Sequence, residues 1–251
     1  MNEIFQYSPM RSTDTIGIIP YHNHIYKSSV LNLMTQNSDN IPVIGITSES
    51  GNGVEQYVKL VQQKDAYTEI LIPNQQITPN VHLENIDGLL ITCEDEPDLE
   101  QCDSSNEYDS ATYQIISTSL QLNIPMLCIC KGMLTLNLVT DGKPSTNIHN
   151  HNATMQKDEK LSSYHHIYIS PGSKLATIVG SGGFVRVNSR HSKGISESQK
   201  SPNLLASAYS LEDGIIEAVE SPYHNWVIGV QFHPERRREI PPHFDRLFDS
   251  L

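Results

Sequence analysis

The chain has 251 residues, of which 37% are hydrophobic, and a formal net charge of −12. This length and apolar content suffice for one large domain or at most two small ones. We expect no binding to nucleic acid, because contact with a phosphate backbone needs a basic surface and this chain is acidic. No apolar run approaches the roughly 20 residues of a membrane-spanning helix. Residues 1–14 lack the charged segment and apolar core of a signal peptide, so we expect no membrane association.

The four cysteines lie at positions 93, 102, 128 and 130, too few and too irregularly spaced for a disulfide framework. Small proteins of oxidising compartments rely on such frameworks, so this pattern predicts a reducing, cytoplasmic environment. The sequence shows no repeat of fixed period and no linker that would divide it, and we expect a single domain over residues 1–251. Composition leaves the oligomeric state open, with a homodimer as one option.

Residues 1–40 form an N-terminal extension of uncertain structure. Thr15–Tyr21 is one strand candidate and Ile41–Thr47 is a stronger one, but the pattern does not decide which belongs to the core sheet. His22 and His24 follow the first candidate. Because no third ligand is evident nearby, we interpret them as part of a solvated loop and expect no metal.

Residues 41–141 alternate between short apolar runs and segments with helical spacing. The predicted strands are Ile41–Thr47, Glu69–Pro73, Ile86–Thr92 and Met126–Ile129. The predicted helices are Val54–Tyr67, one that follows a capping box at Ser104–Glu107, and one that begins near Met133 and stops at Asp141-Gly142. Such alternation indicates an α/β fold, a parallel sheet with helices on both sides. Ligands in these sheets bind at the carboxyl ends of the strands.

The second half of the chain has a different texture. Pro144–Leu161, which contains His149 and His151, is polar and is predicted to be a loop. His165 and His166 are interpreted as flanking a strand rather than as metal ligands. The later segments are predicted to be strands, with a terminal helix over residues 241–251: His166–Ser170, Leu175–Val179, Phe184–Val187, Leu204–Tyr209, Gly214–Val219 and Trp226–Phe232.

The stretch Pro125–Asn137 predicts a strand, a sharp turn and a helix, with Cys130 at the turn. This is the geometry of a nucleophile elbow, which lifts one side chain clear of the sheet. The N-terminus of the following helix would favour thiolate over thiol. Gly132 would let the backbone turn tightly and approach a substrate. The alternative is an ordinary buried cysteine, a common interior residue.

A second chemical motif stands near the end of the chain, in Val227–Glu235. This apolar strand ends in His233-Pro234-Glu235, and residues two apart lie on the same side of an extended segment. A cysteine nucleophile needs a base, and the base needs a carboxylate that sets its tautomer and orientation. Cys130, His233 and Glu235 supply these three roles if the two strand ends are neighbours.

These motifs resemble those of a known superfamily. CICKG resembles the G-x-C-x-G elbow of class I glutamine amidotransferases, and VIGVQFHPE resembles their closing G-x-Q-x-H-P-E strand. VNSRHSKGI (Val187–Ile195) and DGIIEAVE (Asp213–Glu220) are similar to the γ-glutamyl-γ-aminobutyrate hydrolase branch. The resemblance covers residues 41–235. It implies a three-layer α/β/α sandwich with a mostly parallel, flavodoxin-like central sheet and extra β segments in the C-terminal half.

The resemblance also implies roles for individual residues. Cys130 would be the nucleophile, His233 the general base and acid, and Glu235 the residue that orients the histidine. The backbone N–H groups of Lys131 and Cys93 would form the oxyanion hole. The residues implied to lie on the substrate side are His191, Asn188 and Ser189. The family hydrolyses γ-glutamyl amide bonds through a γ-glutamyl thioester, which implies a γ-glutamyl amide or glutamine as substrate and no metal or cofactor.

The chain departs from the family pattern around the triad. Thr92-Cys93-Glu94 stands where the family has a glycine pair, and Cys128 replaces the glycine two before the nucleophile. Leu134 replaces a glutamine, and Ser192-Lys193 replace a histidine and a glutamine. Three hypotheses follow: a hydrolase of a small γ-glutamyl amide, a glutaminase subunit that passes ammonia to a partner, and a catalytically weak or inactive binding or regulatory protein. The sequence does not name the leaving amine.

Overall fold

The computed structural model of the chain describes residues 18–19, 41–48, 53–72, 83–92, 107–156 and 159–251. Several predicted features lie outside these ranges: most of the N-terminal extension, His22 and His24, Cys93, the acidic run Glu94–Glu100, Cys102 and the start of the capping box. Among the helices of the described residues, none has the length and hydrophobicity needed to span a lipid bilayer.

The described strands and helices follow the alternation expected from the sequence. The strands are β1 (Ile18–Ile19), β2 (Val43–Thr47), β3 (Tyr67–Leu71), β4 (Gly88–Ile91), β5 (Met126–Ile129), β6 (Thr146–Asn147), β7 (Thr154–Gln156), β8 (Glu159–Leu161), β9 (Ser163–Ile169), β10 (Gly183–Ser189), β11 (Lys193–Gly194), β12 (Leu205–Ser210), β13 (Ile216–Glu220) and β14 (Val227–Val230). The helices are α1 (Glu55–Gln62), α2 (Glu107–Gln121), α3 (Lys131–Val139), α4 (Lys174–Val179) and α5 (Arg246–Asp249), the last preceded by a 3₁₀ turn at Pro242–Asp245.

The main sheet has ten described strands in the order β1-β3-β2-β4-β5-β14-β13-β12-β9-β10. The five strands from β3 to β14 are parallel, and antiparallel strands extend the sheet on both sides. Two short ribbons, β6–β11 and β7–β8, lie outside it. The predicted α/β fold is thus confirmed, and the parallel strands end together at one edge of the sheet.

Side chains of the parallel strands alternate between two helical layers. Met126 and Cys128 of β5 pack with residues of α2 and α3, whereas Leu127 and Ile129 pack with residues of α1, α4 and α5. All four are completely buried, and burying a large aliphatic side chain contributes about 1.5–3 kcal/mol. Because both faces of these strands are covered, their sequences are continuous apolar runs rather than alternating ones.

The structure settles which N-terminal strand candidate is central. β2, within Ile41–Thr47, lies between β3 and β4 in the parallel part of the sheet. β1, within Thr15–Tyr21, is a two-residue antiparallel addition at the edge. The terminal helix predicted over residues 241–251 is confirmed as the 3₁₀ turn and α5.

One predicted strand is wrong: Leu175–Val179 forms helix α4. The side chain of Ser173 accepts a hydrogen bond from the Ala176 N–H at 3.0 Å and caps the helix, which ends at Gly180 with φ of 90°. A serine before an apolar run and a glycine after it are helix start and stop signals. Thr177, Ile178 and Val179 are β-branched and favour a strand, but the caps favour the helix that is observed. The stretch Pro144–Leu161, predicted as loop, contains the short strands β6, β7 and β8.

Candidate active site

Cys130 occupies the turn between β5 and α3. Its backbone has φ of 53° and ψ of −108°, a conformation that is strained for a residue with a side chain. Its N–H donates to the Val230 carbonyl at 2.8 Å, and its carbonyl accepts from the Met133 N–H at 3.0 Å. Strand and helix therefore both hold the turn. This is the strand–turn–helix geometry expected of a nucleophile elbow.

Gly132 follows Cys130 by two residues, in the first turn of α3. A Cβ atom at this position would lie 2.5 Å from the backbone oxygen of Ile91 at the end of β4. Glycine is therefore needed for the close approach of helix and strand. The sequence interpretation assigned the same glycine to substrate access, whereas the structure gives it a packing reason.

The ends of β5 and β14 are neighbours, as the triad hypothesis required. The two strands are parallel, with Val230 opposite Ile129, so Gln231 follows β14 where Cys130 follows β5. The side-chain Nε2 of Gln231 donates to the Sγ of Cys130 at 3.7 Å. A hydrogen-bond donor at the sulfur favours its anionic form. We did not single out Gln231 from the sequence, although it is the first residue after the strand that leads to the His-Pro-Glu motif.

His233 and Glu235 form a buried pair directly beyond Gln231. The Nδ1 of His233 lies 2.7 Å from the Oε1 of Glu235, and both residues are buried. With Nδ1 engaged by the carboxylate, Nε2 is the ring nitrogen that would exchange a proton with a thiol or a substrate. A base and an orienting carboxylate would need such a contact, and their roles here stay a prediction.

Asn188 holds the backbone of His233. Its Oδ1 accepts from the His233 N–H at 2.8 Å, and its Nδ2 donates to the His233 carbonyl at 2.9 Å. The Nδ2 also lies 3.3 Å from the Oε2 of Glu239. Asn188 is completely buried. We predicted a substrate contact for it, and the structure places its side-chain amide against the backbone of His233 instead.

The other predicted site residues differ in their surroundings. Lys131 is the first residue of α3, so its backbone N–H lies at the helix N-terminus directly after Cys130. Cys93 lies outside the described residues. Ser189 is buried and donates through Oγ to the carbonyl of His151 at 2.6 Å. His191 is also buried, and it belongs to a second cluster.

The second cluster, which we call the histidine–glutamate cluster, consists of His151, His165, His191 and Glu217. Three imidazole nitrogens approach the same carboxylate oxygen, Oε1 of Glu217: Nδ1 of His151 at 3.3 Å, Nε2 of His165 at 3.2 Å and Nε2 of His191 at 3.6 Å. Every member is at most 6% exposed. Sequence reasoning missed this cluster, because its members are spread from position 151 to position 217.

The cluster has an uneven distribution of charge. Burial opposes ionisation of Glu217, but the surrounding imidazoles outweigh it and hold the pKa of the carboxyl at about 2. Burial lowers the pKa of His191 to about 4. Burial also opposes protonation of His151, but Glu217 and Asp213 outweigh it and raise its pKa. At neutral pH the cluster therefore has a carboxylate anion beside a neutral His191.

Gln231 connects the histidine–glutamate cluster to Cys130. The backbone N–H of Gln231 donates to the Glu217 carbonyl at 2.8 Å, while its side chain donates to Cys130. The histidine–glutamate cluster therefore lies along the same edge of the sheet as Cys130, one strand further on.

Comparisons with known proteins identify the family of the chain. A family model described as peptidase C26 matches residues 34–235. The chain is 27% identical to a glutamine amidotransferase-like protein of Rickettsia prowazekii, over 77% of this chain and 91% of that protein. It is 28% identical to the γ-glutamyl-γ-aminobutyrate hydrolase of Escherichia coli O157:H7, over 66% of this chain and 63% of that enzyme.

The fold is also similar to a solved structure. A glutamine amidotransferase from Thermotoga maritima matches with a TM-score of 0.58 and 14% identity, over 78% of this chain and 77% of that one. The predicted resemblance to the class I glutamine amidotransferase-like superfamily is confirmed. With its family model matched over most of its length, the chain belongs to the peptidase C26 family.

Proposed function

We propose that the chain is a cysteine hydrolase that cleaves a γ-glutamyl amide bond of a small molecule through a γ-glutamyl thioester. The observation that carries this proposal is the placement of Cys130 at a strained turn beside the strand end that leads to the paired His233 and Glu235. Family membership supports a glutamine amidotransferase-like hydrolase, and the hydrolase relative of E. coli supports the γ-glutamyl bond.

In the first half-reaction, Nε2 of His233 takes the proton of the Cys130 thiol, and the resulting thiolate attacks the γ-carbonyl carbon and forms a C–S bond. The C–N bond then breaks, and its electron pair leaves with the amine, which takes a proton from Nε2 of His233. Glu235, bound to Nδ1, stabilises the imidazolium that exists between these events. The products are a γ-glutamyl thioester on Cys130 and a neutral amine.

In the second half-reaction, His233 acts as a base. It removes a proton from water as the oxygen attacks the thioester carbon, and the C–S bond breaks. Glutamate leaves, the sulfur keeps the electron pair as a thiolate, and the proton on His233 is available for the next cycle. Gln231, which donates to Sγ, stabilises the thiolate before attack and after release.

The negative charge on the carbonyl oxygen needs backbone donors. The N–H of Lys131, at the N-terminus of α3, is our candidate for one of them. The second candidate is the N–H of Cys93, outside the described residues. Loss of one such donor lowers turnover by roughly 10²–10³-fold, so the altered Thr92-Cys93-Glu94 turn bears directly on the rate.

Two alternatives are tested alongside the hydrolase. Relatives and fold neighbours carry amidotransferase names, which favours a glutaminase subunit that delivers ammonia to a partner. Such a subunit would hydrolyse glutamine weakly until its partner is added. The altered turn favours an inactive homologue, in which Cys130 would react with a glutamine-analogue alkylator but no γ-glutamyl amide would acylate it.

The acidic run Glu94–Glu100 suggests which amine leaves. If this run borders the site, it favours a cationic amine over an anionic one. We therefore expect faster turnover of γ-glutamyl-putrescine than of γ-glutamyl-aminobutyrate. A preference for the anionic amine would refute this choice without affecting the proposed reaction.

The reaction is tested by mass spectrometry of the intact protein after brief exposure to a panel of γ-glutamyl amides. We expect a γ-glutamyl adduct on Cys130 that decays as glutamate appears. Cys130→Ser should form no thioester adduct and release no glutamate. Cys128→Ala is the matched control, because Cys128 is completely buried two residues away and should leave adduct formation intact. Absence of any adduct on a protein that alkylates readily at Cys130 would overturn the hydrolase proposal.

A further inference from the structure

The histidine–glutamate cluster draws its members from four separate parts of the chain. His151 lies between β6 and β7, His165 in β9, His191 after β10, and Glu217 in β13. The ring centroid of His151 lies 4.4 Å from that of His165 and 4.9 Å from that of His191. Four ionisable side chains thus converge in the interior, where such groups need partners that offset the loss of water.

Hydrogen bonds on the outer side of the cluster determine which nitrogens carry protons. The Nδ1 of His191 lies 3.0 Å from the carbonyl of Lys193, and a carbonyl only accepts, so Nδ1 carries the proton. The Nε2 of His151 lies 3.1 Å from a carboxylate oxygen of Asp213, so Nε2 carries the proton there. In the neutral rings, the inward nitrogens of both residues therefore have lone pairs.

These lone pairs face another acceptor. The inward nitrogens of His151 and His191 lie 3.3 and 3.6 Å from the same Glu217 oxygen. Within the described part of the chain, neither nitrogen makes a hydrogen bond of good geometry, and neither does either carboxylate oxygen of Glu217. Two lone pairs and a carboxylate repel each other unless a cation lies among them. That cation is either a proton on an imidazole or a metal ion.

We propose that His151, His191 and Glu217 form a binding site for a divalent transition-metal ion of the zinc class, with His165 beside the same carboxylate. The ligand atoms of the first three residues lie within 4.8 Å of one another. Zinc–nitrogen bonds of about 2.0–2.1 Å place tetrahedral ligand atoms about 3.3–3.4 Å apart. The nitrogen–oxygen separations of 3.3 and 3.6 Å in the structure are close to that spacing.

The chemistry of the donors selects the class of ion. Imidazole nitrogens with one carboxylate suit zinc, cobalt or nickel, whereas magnesium and calcium prefer oxygen ligands only. Metal-bound histidines commonly donate their outer N–H to a carboxylate or a backbone carbonyl, which fixes the tautomer. His151 with Asp213 and His191 with the Lys193 carbonyl have that arrangement.

The proposed metal site would stabilise the segment that holds His233, without taking part in the chemistry of the active site. Ser189 and the backbone N–H of His191 both bind the carbonyl of His151, and Asn188 in the same segment holds His233. A metal ion at the cluster would tie this segment to β13. The inference stands independently of the proposed hydrolysis, because it concerns binding and uses other residues.

The test begins with full-length protein treated with a chelator, dialysed, and titrated with Zn²⁺ and separately with Co²⁺. We expect one tightly bound equivalent of Zn²⁺ by plasma mass spectrometry. We also expect a visible Co²⁺ spectrum of nitrogen and oxygen ligation with no thiolate charge-transfer band. His151→Gln, His191→Gln and Glu217→Gln should each weaken binding by roughly 100-fold or more, since each removes a direct ligand.

Two exposed histidines near the cluster serve as matched controls: His149, two residues before His151, and His166, directly after His165. His149→Gln and His166→Gln should leave the bound equivalent unchanged. Circular dichroism in chelator checks that each variant folds. If the buried variants fail to fold, Asp213→Asn provides the test, because its side chain is 36% exposed and its loss should weaken binding by about 10–100-fold.

Three outcomes would overturn the proposal. If wild-type protein retains no ion after removal of excess Zn²⁺, the cation in the cluster is a proton on an imidazole and not a metal ion. An ion retained by His151→Gln and Glu217→Gln would lie elsewhere in the chain. An ion lost in Cys130→Ser, with a thiolate band in the Co²⁺ spectrum of the wild type, would be bound by the catalytic centre.

Discussion

Replacement of Asn188 by alanine tests whether this side chain holds the backbone of His233, the proposed catalytic base. The substitution removes an acceptor from the His233 N–H and a donor from the His233 carbonyl, at 2.8 and 2.9 Å. Both backbone groups are buried with His233, which is 3% exposed. Each buried polar group left without its partner costs about 1–3 kcal/mol, so we expect a total loss of about 2–6 kcal/mol in the free energy of unfolding.

The loss should also be visible in function. Because His233 would shift on its backbone, kcat for a γ-glutamyl amide should fall at substrate saturation, and alkylation of Cys130 should slow. Stability is measured by urea unfolding, and activity is expressed per folded molecule. The matched control is Asn137→Ala, since Asn137 is also completely buried and bonds the backbone of Lys143, Gln199 and Ser201.

Asn137 lies in α3 at seven residues from Cys130, about 10 Å along the helix. The control variant should therefore lose stability to a similar extent and keep its activity per folded molecule. Equal losses of activity in both variants would show that Asn188 acts only through general stability. A loss of less than about 1 kcal/mol in Asn188→Ala would contradict the hydrogen-bond reasoning itself.

Three further predictions concern the elbow and the triad. Gly132→Ala should lower the free energy of unfolding by about 1–3 kcal/mol, measured in urea, because its Cβ would lie 2.5 Å from the Ile91 oxygen; an unchanged midpoint would refute the packing role. A limiting electrophile at neutral pH should label Cys130 before Cys128, since burial raises the pKa of the Cys128 thiol; peptide mapping that finds the reverse order would contradict the elbow. Glu235→Gln should lower kcat by up to about 10⁴-fold, the loss known for the serine-protease triad, with little change in KM; near-normal turnover would remove the residue from the mechanism.

Local sequence patterns were sufficient for the elements that carry the chemistry. The apolar run before Cys130 and the one before His233 predict buried strands, and both are strands in the structure. A turn that places Cys130 between strand and helix could also be predicted, because the change from continuous apolar residues to helical spacing occurs within a few residues. The pairing of His233 with Glu235 follows from their separation by a single residue.

Local patterns were insufficient where two signals compete. Leu175–Val179 contains β-branched residues that favour a strand, whereas its serine cap and closing glycine favour a helix. The helix also buries Leu175, Ala176 and Val179 on one face, which stabilises it. Substrate-side roles for Asn188, Ser189 and His191 came from resemblance. The structure shows all three buried, with side chains directed to neighbouring protein groups.

The sequence by itself thus determined the nature of the reactive groups and the short elements that present them. Only the tertiary structure decided which of these elements are neighbours. β5 and β14 lie side by side although about 100 residues separate them, and that pairing brings Gln231 to the sulfur of Cys130. The histidine–glutamate cluster likewise depends on four segments whose meeting is set by sheet order. Periodicity along a chain records which face of an element is buried, but it carries no information about the partner that buries it.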